Sequence, residues 1–279
     1  MGRFQKSFAL AKSSWAILRS DRELILLPLF SFLATLAVGA TFVLPILATS
    51  HSSGGSQQSS FGPVQYILAF LGYVVLAYVT IFFNAALVSG ADERMRGGDP
   101  TLGSALRGAA GRAGQILPWA IVSATVSLVL RSLQERGGIL ARIAAGFAGM
   151  AWSLVTFLVL PVLVIEGLTV GKAIKRSSEL FRRAWGEQVI ANAGIGLVGL
   201  AAVIAGLPVL LLVATGIGVL KVVGIAVFVA WVALVMCVTT ALSGVFQTAL
   251  YHYAANDMPP LAFATADLER AFVPKRNRN

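Results

Sequence analysis

Residues 166–187 read EGLTVGKAIKRSSELFRRAWGE. This stretch lies between two long apolar runs and carries Lys172, Lys175, Arg176, Arg182 and Arg183. Ile174, Ser177, Phe181 and Trp185 fall on one side of a helix, with the basic residues flanking them. The pattern has echoes. Thr101-Leu102-Gly103-Ser104-Ala105-Leu106-Arg107 repeats Thr169-Val170-Gly171-Lys172-Ala173-Ile174-Lys175, and Lys12-Ser13-Ser14 matches Arg176-Ser177-Ser178. Three segments, near 4–22, 102–114 and 172–186, thus read as amphipathic helices. Each leads into a hairpin of two apolar spans.

Composition sets the class. Hydrophobic residues make up 57% and charged residues 12% of the 279, against about 25% charged in a soluble domain. Such a chain cannot cover itself with polar surface in water, and lipid is the matching solvent. The net charge of +10 does not point to nucleic acid. The basic residues sit between apolar runs, and no basic domain stands apart. The single cysteine, Cys237, lies in an apolar run and reads as a small buried hydrophobe.

Working outward, six spans are expected, at about 24–47, 63–90, 116–133, 139–165, 188–215 and 222–251. The third is the shortest. The first is long enough, at about 36 Å, to cross a bilayer core, and too long for a signal-peptide core. Residues 48–62 read as a flexible polar loop containing His51. A Gly-Gly pair at 137–138 marks a tight hairpin. Pro161 is expected to bend the fourth span, and Pro208 interrupts the fifth. Residues 216–221 read as a turn. The fold class is therefore all-α: a polytopic membrane bundle of six transmembrane helices with three cytoplasmic-side amphipathic helices. It forms one integral membrane domain over residues 1–279. Alternate connections hold 18 of the 22 Lys and Arg. That bias puts both termini in the cytoplasm.

Chemistry-bearing constellations are sparse. The two histidines, His51 and His252, fall on opposite sides of the membrane in this topology, and no serine shows a nucleophile elbow. Asp92 and Glu93 read as solvated loop charges. Gly194-Ile195-Gly196-Leu197-Val198-Gly199 matches a dinucleotide fingerprint by letters. Inside a span and without a preceding strand, these glycines read as helix-packing positions. No catalytic, cofactor or metal site is expected. Asn84, Glu166 and Asn192 form a candidate polar path, with Gln247 a further uncharged polar group in a span. Glu166 is read as an interfacial partner of Lys172 or Arg176. Lys175, Arg176, Arg182 and Arg183 are candidate contacts for lipid headgroups. Ala141, Ala145, Gly149 and Ser153 recur every four residues as a candidate helix-packing ladder.

The residues Phe4, Ser13, Leu18, Asp21, Leu24 and Pro28, together with Pro161, Glu166, Ala173, Ser177 and Trp185, carry a resemblance. The pattern resembles an uncharacterised family of six-span bacterial membrane proteins. It is also distantly similar to the membrane domain fused to some glycerophosphodiester phosphodiesterases. The resemblance implies an all-helical protein of the bacterial inner membrane and transfers no catalytic residue. The expectation is a non-enzymatic membrane protein that handles lipid or small amphiphiles or supports transport. A scaffold or assembly subunit and a channel or secondary transporter are the alternatives. Expected partners are anionic membrane lipids, and a second copy or another membrane protein at the small-residue ladder.

Overall fold

The computed structural model describes residues 22–51, 63–136, 138–210 and 218–256. Among them there is no strand. Seven helices follow in order: α1 (Arg22–His51), α2 (Pro63–Met95), α3 (Leu102–Ala110), α4 (Ala113–Arg136), α5 (Ile139–Thr156), α6 (Val170–Gly206) and α7 (Gly218–Asn256). A helical turn (Val159–Pro161) and a π-helical turn (Val162–Glu166) follow α5, and a 3-10 turn (Leu207–Leu210) follows α6.

Five stretches are long and apolar enough to cross a membrane: Ile25–Phe42, Ile67–Met95, Ala113–Glu135, Ile139–Glu166 and Gly218–Ala255. The surface is inverted relative to a water-soluble protein. Leu140 is 84% exposed, Val219 74% and Phe147 68%, which suits hydrocarbon and not water. The chain is a multi-pass membrane protein. Of the expected fifth span, residues 188–206 lie in α6 and 207–210 in the 3-10 turn, and the apolar stretch found there is the shorter Val198–Val209.

Several expected boundaries are corrected. The third span, Ala113–Glu135, is longer than expected, at 23 residues. α1 extends to His51, so the N-terminal part of the expected 48–62 loop is helical. Residues 218–221 open α7 and do not form a turn. The largest difference is at 187–188, where an amphipathic helix was expected to hand over to a span. α6 instead runs unbroken for 37 residues. The charge stops there, but nothing in the sequence stops a helix. Residues 4–21 of the first amphipathic segment lie outside the described residues.

The two described echoes begin alike and end differently. Thr101 and Thr169 both hold the extended N-cap conformation. At α3 the cap is complete: the Thr101 hydroxyl accepts from the Ser104 N–H, and the Ser104 hydroxyl accepts from the Thr101 N–H. The Glu23 carboxylate accepts from the Leu102 N–H at 2.7 Å, which ties the start of α1 to the start of α3. Yet α3 lasts nine residues and α6 thirty-seven.

The break after α5 follows from Pro161. Proline has no N–H to give the carbonyl four residues back, which is that of Phe157. The helix ends there, at Thr156. Ser177 of α6, fully buried, repairs the loose backbone. Its hydroxyl accepts from the Leu158 N–H at 3.1 Å and donates to the Val155 carbonyl at 2.6 Å.

The core gathers at one end of the bundle, around Leu87, Val88, Ile116, Leu158, Leu163, Leu180, Val245 and Leu250. Small residues set the closest approaches. A side chain at Gly199 or Gly206 of α6 would meet Thr239 and Trp231 of α7 respectively, and one at Gly244 would meet Leu87 of α2. The Trp231 indole donates to the Ala202 carbonyl at 2.9 Å across the same α6–α7 seam.

Candidate functional site

Two features of the bundle share the same helices. The first is a group of charges at the packed end. Asp92, in the last turn of α2, lies 2.7 Å from the His252 ring nitrogen of α7 and 3.0 Å from Arg96. Glu93 accepts from the Ser104 hydroxyl at 2.7 Å. The reading of Asp92 and Glu93 as solvated loop charges is thus corrected: the helix continues through them and gives them fixed partners. Glu166 closes the π-helical turn. Its Oε1 accepts from Arg176 at 3.2 Å and from the Tyr251 hydroxyl at 2.9 Å. Arg176 is the expected partner of Glu166; Tyr251 is a second one that the sequence did not suggest. Arg112 donates to the Val164 carbonyl at 3.1 Å and lies over Gly167, whose φ of 67° suits a residue without a side chain. One end of α2, the start of α4, the π turn, α6 and α7 are stitched together here.

The second feature is a cavity of about 680 Å³ between α2, α5, α6 and α7. α2 contributes Asn84 and Val88, α5 Ser153 and Thr156, and α6 Gly196. α7 contributes Thr239, Thr240, Ser243, Gly244 and Gln247, and Phe157 and Leu160 add apolar wall. None of the described lining residues is charged. The volume is in the range of small-molecule sites.

Register connects the two. Asn84, Val88 and Asp92 are four apart and share one face of α2; Ser243, Gln247 and Tyr251 do the same on α7. Asp92 therefore lies about 12 Å along α2 from Asn84, and Tyr251 about 6 Å along α7 from Gln247. On α7 a polar stripe runs from the cavity to the charged end, whereas on α2 the buried Val88 separates Asn84 from Asp92.

Of the expected polar path, Asn84 lines the cavity and Glu166 sits at the charged end. The side chain of Asn192 lies outside the described residues. Gln247 also lines the cavity. Thr240 and Ser243 were missed, although their spacing with Gln247 in an otherwise apolar run is a legible signal. Of the candidate headgroup contacts, Lys175 and Arg182 are exposed, while Arg176 is half-buried against Glu166. The side chain of Arg183 is not among those described. In the ladder, Ala145 is buried, Ala141 and Gly149 are half-buried, and Ser153 is exposed. Gly149 faces Leu130 of α4, with Trp119 and Trp152 stacked nearby at 6.0 Å. Gly199 is a packing position, as expected, whereas Gly196 lines the cavity. Cys237 is buried.

Residues 63–259 match a family of unknown function, DUF6159. The chain belongs to this family. The DUF6159 match contains every described residue of the cavity and all of the charged end except Glu23, which sits in α1. It also contains Pro161, Glu166, Ala173, Ser177 and Trp185, but not the N-terminal residues that carried part of the resemblance. An uncharacterised family was expected on those central residues. No curated protein matches the chain. These findings do not show the likeness to the membrane domain of glycerophosphodiester phosphodiesterases.

Proposed function

We propose that this DUF6159 protein is a non-enzymatic component of the bacterial inner membrane that holds a lipid or small amphiphile between its helices. It crosses the membrane six times, with the expected fifth span completing the count and both termini in the cytoplasm. The cavity carries this reading. A polar-lined space of about 680 Å³ among otherwise apolar helices gives an amphiphile both a solvent for its polar part and apolar wall for the rest. The sequence supports the orientation, because the basic connections alternate with nearly neutral ones. The exposed Lys172, Lys175 and Arg182 of α6 add an attraction to anionic headgroups, of order 1 kcal/mol per residue at the surface.

The polar stripe on α7 favours a second reading, transport. It gives an amphiphile or solute in the cavity a polar route toward Glu166 and Tyr251.

Native mass spectrometry of the protein released from lipid nanodiscs tests the main reading. The expected result is a retained amphiphile that is lost when Ser243→Leu fills the cavity. A chain that emerges bare from every bilayer composition contradicts it. Gln in place of Lys172, Lys175 and Arg182 should leave the cavity ligand bound while weakening adhesion to phosphatidylglycerol vesicles. Unchanged adhesion would remove the headgroup role.

A further inference from the structure

The polar residues of the cavity fall into two sets. Ser153, Thr156 and Thr239 donate to carbonyls of their own helices, those of Gly149, Trp152 and Val235. Asn84, Thr240, Ser243 and Gln247 have no hydrogen-bond partner among the described residues. The second set is unusual. A serine or threonine inside a helix ordinarily turns back to its own backbone. A carboxamide carries two donors and an acceptor, and at membrane depth unpaired polar groups cost several kcal/mol in the limit of no partner. Two carboxamides and two hydroxyls therefore meet in one space, without partners among the described residues.

Their chemistry restricts what completes them. The described lining offers no charge to balance an ion, and Asp92 and Glu166 of the charged end already hold His252, Arg96, Arg176 and Tyr251. A phosphate or ammonium placed here would be desolvated without a counter-charge. An uncharged group with both donors and acceptors suffers no such penalty. Val88, Phe157 and Leu160 supply apolar wall beside it.

We infer that the cavity selects the uncharged, hydroxyl- and ester-bearing end of an amphiphile, as in the glycerol portion of a diacylglycerol, and excludes phosphorylated headgroups. This rests on the amphiphile reading above and narrows it. Asn84 and Gln247 bind ester carbonyls and hydroxyls through their amides, and Ser243 and Thr240 complete the set.

The test uses the whole protein in phosphatidylcholine nanodiscs. Each contains either a photoactivatable diacylglycerol or a photoactivatable phosphatidylglycerol at equal concentration, and labelled peptides are read by mass spectrometry. Diacylglycerol should label the peptides containing Asn84 and Gln247 about tenfold more than phosphatidylglycerol does. The double variant Ser243→Ala, Gln247→Leu should lower diacylglycerol labelling about tenfold, the loss expected for two neutral hydrogen bonds. Because neither side chain has a partner within the described protein, its melting temperature should hold. Equal labelling by the two lipids overturns the selectivity and leaves the amphiphile reading intact. Labelling that survives in the double variant also overturns it. No labelling of these peptides by either lipid overturns both.

Discussion

Ser177 shows how one side chain can decide a local structure. It is fully buried, and it serves both a carbonyl and an N–H at the point where Pro161 breaks the fourth apolar run. Ser177→Ala would leave two buried backbone groups without partners. Thermal unfolding in detergent should show a loss of about 1–3 kcal/mol. Gly167 is a second such position. A methyl there meets the Arg112 guanidinium and forces a left-handed residue to carry a side chain. Gly167→Ala should cost at least about 1–2 kcal/mol from the backbone alone, measured the same way. Both residues stand in the stretch whose pattern marked the chain, but the sequence gives only half of each reason. The helix face of Ser177 is legible from its spacing with Ile174 and Phe181. That it meets a broken helix depends on α6 packing against α5, which no local pattern records. The Glu166–Arg176 pair was readable because the two are close in sequence and opposite in charge. Tyr251 was not, because it arrives from 85 residues away.

At the scale of elements, the apolar runs predicted the helices well and their ends less well. Hydropathy reports where lipid ends, whereas a helix stops only for a backbone reason. α2 carries on through Asp92 and Glu93 to Met95, and α6 crosses 187–188 without interruption. Proline marks some of these stops and not others: Pro118 stays inside α4. Pro161 and Pro208 each coincide with a departure from α-helix. The cavity was half legible. Asn84 and Gln247 stand out as amides in apolar runs, but Thr240 and Ser243 look like ordinary membrane hydroxyls until α7 is set beside α2. The α6–α7 seam depends on Gly199 and Gly206, seven residues apart and so on one face. Gly199→Leu would drive a bulky group into Thr239. Disulfide cross-linking between cysteines placed at Ala202 and Val235, in a Cys237→Ser background, should fall sharply in that variant. Unchanged cross-linking would mean the seam is not held by close approach.

At the scale of the molecule, packing is uneven. The buried core and the ion pairs of Asp92, Arg94 and Glu166 cluster at one end, Arg131 and Glu135 pair at the far end of α4, and the apolar outer surface of the helices faces outward along their length. The cavity lies between four helices, with a polar stripe on α7 leading to the charged end. In a bilayer this arrangement requires that end to lie at a headgroup surface, because the charges of Asp92, Arg96, Glu166 and Arg176 are tolerated there and not in hydrocarbon. In the proposed orientation, that surface is the cytoplasmic one. Impermeant-maleimide labelling of single cysteines at Lys175 and Gln134, in a Cys237→Ser background, tests this most directly. In intact bacteria Gln134→Cys should react and Lys175→Cys should stay silent. Inverted membrane vesicles should reverse the two. Reaction of Lys175→Cys in intact cells, or of both positions from the same side, would contradict a bundle threaded through the membrane with its charged end facing the cytoplasm.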